Sequence, residues 1–218
     1  VMVTLCWAAK GGSGTTVVAA SMALASPRPS LLVDLDGELP AVLGLPEPLR
    51  PGVGDWLATD TEASRLDDLL IDIGPTTWLL PWRSGSQLFA VPGADRWRQL
   101  AAWLHEWADR RHGEVVIDAG TGTPPPALVD GIDRAVLVTR PCYLSLRRAV
   151  RQSTRPTGVI LVDEPGRALR RHEVEQALGA PVDTVISIDP AIARAVDAGL
   201  LAARLPRSLG RDLRGAAA

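Results

Sequence analysis

The sequence predicts an α/β protein: a doubly wound, mostly parallel sheet with helices on both faces, three layers in all. Three observations carry that expectation. Short continuous apolar runs (Thr4–Ala8, Ser30–Asp34, Glu114–Asp118, Ala135–Thr139, Gly158–Val162) alternate with stretches patterned as helices, as strands buried on both faces require. Two of these runs, Ser30–Asp34 and Glu114–Asp118, end in a carboxylate. The first run passes through a glycine loop, Ala9–Thr16, directly into an alanine- and valine-rich helix, Val17–Ala25.

That loop reads Ala9-Lys10-Gly11-Gly12-Ser13-Gly14-Thr15-Thr16. Where a glycine loop runs into a helix N-terminus, unpaired backbone N–H groups and the helix dipole make a cradle for phosphate. The standard phosphate loop is G-x-x-x-x-G-K-[ST]. Here Ala9 stands for its first glycine and Thr15 for its lysine, while Thr16 keeps the hydroxyl that faces magnesium. Lys10, at the start of the loop, is the only lysine among 23 Lys and Arg residues. A chain that otherwise takes its positive charge from arginine thus keeps one compact ammonium in its phosphate loop, where a point charge suits phosphate.

The loop resembles the deviant Walker A element, K-G-G-x-G-K-[ST], of the ParA/MinD family of ATPases. With the second lysine replaced, it looks most like the CpaE/TadZ branch, associated with Tad pilus assembly. The resemblance implies a P-loop NTPase fold that binds ATP or ADP with Mg2+. It also implies a homodimer closed through the nucleotide face, in which Lys10 reaches the partner's phosphates. The nucleotide-binding candidates are Lys10, Gly11, Gly12, Ser13, Gly14, Thr15, Thr16 and Asp163.

After the first helix, the apolar run Ser30–Asp34 ends in a loop, Leu35-Asp36-Gly37-Glu38, at the rim where open α/β sheets place ligands. Asp34-Leu35-Asp36 followed by Leu39–Leu45 resembles the family's switch I segment, which makes Asp36 the candidate for orienting the attacking water. Pro46–Pro51 reads as a proline-rich surface connection and Gly54–Leu57 as a short helix. Leu66–Ile73 fits a short helix or a strand. Of the runs Trp78–Pro81 and Leu88–Pro92, the second is the expected sheet member. Ala94–Arg111 is the best helix: Trp97, Leu100, Leu104 and Trp107 make one apolar stripe, with Trp103 at its edge, packed on the sheet.

Glu114–Asp118 has the form of a Walker B strand, whose carboxylate holds magnesium or its water. Thr16, Asp36 and Asp118 are therefore the candidate metal residues, and Lys10 and Asp36 the candidate catalytic ones. Gly120 and Gly122 fit a mobile switch II loop stopped by Pro124–Pro126. Leu144–Ser153 reads as a helix carrying Arg147, Arg148 and Arg151, with Arg155 beyond it. A net charge of −2 favours a solvated face over a DNA-binding one. In the family an asparagine near the end of the next strand reads adenine; here Asp163 stands there, able to accept but not to donate. His172–Leu178 and Ala191–Leu201 read as helices, Pro181–Ile186 as the last strand, and Leu209–Ala217 as a short final helix.

The composition, 46% hydrophobic and 22% charged residues, suits a single domain over 1–218. The N-terminal receiver-like domain that the resemblance to CpaE-type proteins would imply is not expected here, since the sequence starts at the strand before the glycine loop. Cys6 and Cys142 read as small core residues in a reducing compartment, and the three histidines as surface residues. No apolar run is long enough for a membrane span, and no basic leader precedes the first strand, so a cytoplasmic protein is expected, recruited to a pole or membrane through a partner. The sequence-level expectation is an ATP-binding, dimerising protein that positions a pilus or secretion assembly. Its hydrolysis should be slow or absent, because Thr15 offers no cation beside the β- and γ-phosphates. Two alternatives stand beside it: a pseudo-ATPase scaffold that binds no nucleotide, and a DNA-partition ATPase using the Arg147–Arg155 surface.

Overall fold

The computed structural model of the chain describes residues 1–83 and 91–214. Their order is β1 (Met2–Ala8), α1 (Thr15–Ala25), β2 (Ser30–Asp34), α2 (Leu39–Leu43), α3 (Val53–Leu57), a 3-10 turn (Ala63–Leu69), β3 (Ile71–Gly74) and β4 (Thr77–Leu80). The second half continues with α4 (Ala94–Arg111), β5 (Glu114–Thr121), α5 (Pro126–Val129), β6 (Arg134–Thr139), α6 (Tyr143–Arg151) and β7 (Gly158–Asp163). It closes with α7 (Arg171–Leu178), β8 (Val182–Ser187), α8 (Pro190–Asp197) and α9 (Arg207–Arg214).

The eight strands form one sheet in the order β3-β4-β2-β5-β1-β6-β7-β8. All neighbours pair in parallel except the edge hairpin β3–β4. Two apolar layers cover its faces. On one, Trp103, Leu104 and Trp107 of α4 pack with Leu5, Trp7, Leu31 and Ile117; on the other, Val18, Ala19 and Met22 of α1 pack with Cys6, Leu32 and Val138. β1 lies between β5 and β6, and its residues from Val3 to Ala8 are buried, so the glycine loop rises from the middle of the rim.

The helix over Ala94–Arg111 matches the periodicity residue for residue. Its apolar stripe is rotated slightly: Trp103 is buried, while Trp97 is only half-buried. Leu66–Ile73 holds both alternatives in succession, the end of the 3-10 turn and the start of β3. The sheet takes Thr77–Leu80 beside β2, while most of the run favoured for the sheet, Leu88–Pro92, falls outside the described residues. Residues 88–90 lie outside the described residues, and Val91 and Pro92 are in no strand. The glycine loop is shorter than its motif, since α1 already begins at Thr15. Cys142 corrects another reading: it is not a core residue but half-buried at the start of α6, because the strand has ended at Thr139 and the chain is turning on the rim. No helix among the described residues is long and apolar enough to cross a membrane.

Candidate nucleotide and metal site

The glycine loop holds its own shape. Gly12 and Gly14 take left-handed backbone angles (φ 76° and 89°), which favour glycine. The Ser13 hydroxyl, buried inside the turn, donates to the Lys10 carbonyl at 2.8 Å. The Val18 N–H donates to the Gly14 carbonyl at 2.9 Å and starts the helical ladder. α1 has no side-chain cap and no acidic residue in its first turn, so its leading N–H groups are left for an external anion. Thr15 is buried, Thr16 half-exposed, and among the described residues the Lys10 ammonium hydrogen-bonds only the Gly11 carbonyl, at 3.5 Å.

Facing the loop are the three aspartates, and the fold gives each a different environment. Asp34 and Asp118 end up side by side because β2 and β5 pair in register there. Asp34 is fully buried but saturated. Its Oδ1 accepts from the N–H groups of Asp36 (3.1 Å) and Gly37 (2.7 Å), and its Oδ2 from that of Leu39 (3.3 Å). It therefore shapes the loop that carries Asp36. Asp118 is fully buried and only half satisfied. Its Oδ1 accepts from the Gly120 N–H at 3.1 Å, while Oδ2 has no hydrogen-bond partner among the described residues. Burial pushes the Asp118 carboxyl up to about 7, against the Gly120 N–H and the Thr16 hydroxyl, with the Asp34 and Asp36 charges adding to the rise. Asp36 is exposed and lies over Gly120, where any Cβ would collide with its carboxylate.

An orphaned buried carboxylate oxygen, with a threonine hydroxyl beside it and a second carboxylate across it, suits a hard divalent cation. Among the described residues no three His, Cys, Asp or Glu side chains form a ready-made cage. That fits Mg2+, which uses one or two carboxylates and completes its shell with phosphate oxygens and water.

Beyond the loop, a cavity of about 180 Å3 opens between α1 and the rim ends of β6, β7 and β8. Its walls include Gly14, Val17, Arg140, Val162, Ile186 and Ile192. Asp163 stands next to this wall but does not line it, and Asp163 also departs from the grouping of the other candidates around the loop. Two larger cavities, of about 970 and 470 Å3, are lined by no residue of the glycine loop. Two residues near the site had no signal in the sequence. Arg140, one residue past β6, belongs to no motif and enters the site only as part of the cavity wall. Gln152, just past α6, accepts from the Trp7 indole N–H at 3.0 Å and donates to the Gly122 carbonyl at 2.9 Å, tying α6 to β1 and to the turn that follows β5.

No protein-family model matches the chain, and no curated protein sequence does. Solved structures match along its whole length. The MinC:MinD cell division complex of Aquifex aeolicus superposes with a TM-score of 0.80 at 20% identity, covering 100% of this chain and 94% of that one. The septum site-determining protein MinD of Pyrococcus horikoshii, complexed with Mg-ADP, gives 0.77 at 21% identity, over 99% and 94%. A ParA family ATPase from Chlorobium tepidum gives 0.73 at 20% identity, over 97% and 96%. At such identities the likeness establishes the fold: the chain has the α/β P-loop NTPase-like architecture that these ParA- and MinD-type ATPases share.

Proposed function

We propose that this chain is a MgATP-binding protein of ParA/MinD type that dimerises through its nucleotide face. Following the loop's resemblance to the CpaE/TadZ branch, it would recruit or position a pilus or secretion assembly. The observation that carries the nucleotide reading is the orphaned Asp118 oxygen set against Thr16 at the uncapped start of α1. Backbone N–H groups of Gly11–Thr16 would hold the phosphates, and Thr16, Asp118 and Asp36 the cation and its water. Bound magnesium would draw charge from the β- and γ-phosphates. The same neighbours support the reading: the Pyrococcus MinD was solved with Mg-ADP and the Aquifex MinD with a protein partner.

Lys10 suits a role across a dimer, since it is half-exposed and, among the described residues, engages only its own loop. Asp36, exposed on the loop that Asp34 holds, would orient a water. Slow hydrolysis follows from Thr15, which is buried and carries no charge. That burial equally favours a second reading, a scaffold that keeps the fold and binds no nucleotide. The exposed Arg147, Arg148, Arg151 and Arg155 support DNA partition more weakly, given the net charge of −2.

One titration separates these readings. Calorimetry with MgATP, with light scattering alongside, is run on the chain and on Lys10→Ala. Micromolar binding with a nucleotide-driven rise to dimer mass, lost in the variant, supports the sandwich. Tight binding without a mass change removes the trans role of Lys10. No binding at millimolar MgATP overturns the nucleotide reading in favour of the scaffold.

A further inference from the structure

Position 15 of the glycine loop carries no cation. Thr15 replaces the lysine, and among the described residues Lys10 engages only the adjacent Gly11 carbonyl. A different cation borders the cavity beside the loop. Arg140, one residue past β6, lines it together with Ser13 and Gly14, the residues that immediately precede α1. Its guanidinium is loosely held. Nη1 lies 3.8 Å from Glu164 Oε2, too far for a direct hydrogen bond, and that oxygen already accepts from Arg167 Nε at 2.8 Å and Nη2 at 2.6 Å. Arg140 Nε is buried with no hydrogen-bond partner among the described residues.

A buried guanidinium N–H left unpaired is costly in free energy, and an anion entering the cavity would relieve it. Arginine also holds its charge at any working pH and presents planar donors that match phosphate oxygens. Val17, Val162 and Ile186 make one side of the cavity apolar, and the carboxylate in its wall, Asp189, already accepts from the Ala191 N–H at 2.8 Å and the Ser208 hydroxyl at 3.2 Å, so a charge–phosphate contact by Arg140 would be only partly screened.

We infer that Arg140 contacts the phosphates of the bound nucleotide from within the same chain, supplying positive charge that position 15 lacks. This rests on the nucleotide reading above and adds to it a specific donor. The contact is electrostatic and directed at phosphate, so it does not depend on the base.

The test compares the chain with Arg140→Ala and Arg140→Lys by calorimetry, using MgATP and, as a probe without a base, inorganic triphosphate with Mg2+. Thermal melts confirm that the variants fold. Arg140→Ala should weaken both ligands by a similar factor, about ten- to hundredfold for a charge-assisted contact. Arg140→Lys should recover part of the loss, and Thr15→Lys added to Arg140→Ala should recover it as well. Equal binding by Arg140→Ala and the unsubstituted chain overturns this inference while leaving the nucleotide reading intact. A loss confined to MgATP assigns Arg140 to the base and also overturns it. If the unsubstituted chain binds neither ligand, the nucleotide reading itself fails and the inference falls with it.

Discussion

Replacing Asp118 by asparagine should make the unliganded protein more stable at pH 8, although it removes a charged group from the candidate site. Asp118 is fully buried, and its carboxyl is raised from 3.8 to about 7, chiefly by loss of solvent. The folded chain therefore binds this proton more tightly than the unfolded chain. The sign follows: its contribution favours folding most below about pH 4 and is lost as pH rises through about 7. The interval from 3.8 to about 7, at about 1.4 kcal/mol per pH unit, is worth roughly 4 kcal/mol. Asparagine keeps the shape without the ionisation. Urea unfolding followed by circular dichroism at several pH values from 4 to 8.5, for both proteins, isolates the term, because other carboxylates cancel in the difference. The advantage of Asp118→Asn should grow from pH 4, level off above about 7, and reach a few kcal/mol. Mg2+ with nucleotide should then stabilise the unsubstituted chain and leave Asp118→Asn nearly unchanged. A stability difference that does not vary with pH would refute the reasoning, since it would mean that Asp118 ionises in the fold as easily as in the open chain.

Further outcomes follow from single contacts. Gly120→Ala adds a Cβ against the Asp36 carboxylate at a backbone φ of 59°, so urea unfolding should show a loss of about 1–3 kcal/mol, together with weaker MgATP binding in calorimetry. Gln152→Leu strips the Trp7 indole N–H and the Gly122 carbonyl of their partner and should cost roughly 2–4 kcal/mol in urea unfolding, with a shifted tryptophan emission. Trp107→Ala opens a cavity between α4 and the sheet, and a loss of about 3–5 kcal/mol is expected in the same assay. Thr15→Lys should raise ATP turnover by on the order of tenfold or more in a phosphate-release assay; unchanged turnover would remove position 15 as the reason for slow hydrolysis.

Local pattern alone determined much of this protein. Apolar runs with carboxylate ends gave β2 and the start of β5, a 3.6-residue stripe gave α4 to the residue, and three glycines ahead of a helix gave the glycine loop that opens α1. These are short-range signals, written in the spacing of residues on one strand or one helix face. Only the tertiary structure decided which run joins the sheet as β4, because strand partnership depends on what lies across the ladder. It also divided the work of two similar aspartates. Asp34 and Asp118 each end or near the end of an apolar strand, yet three N–H groups saturate one and leave an oxygen of the other bare. Arg140 and Gln152 were silent in the sequence for the same physical reason. Their partners lie across the sheet rim, so their meaning arises from the crossovers that bring β1, β5, β6 and β7 to one edge.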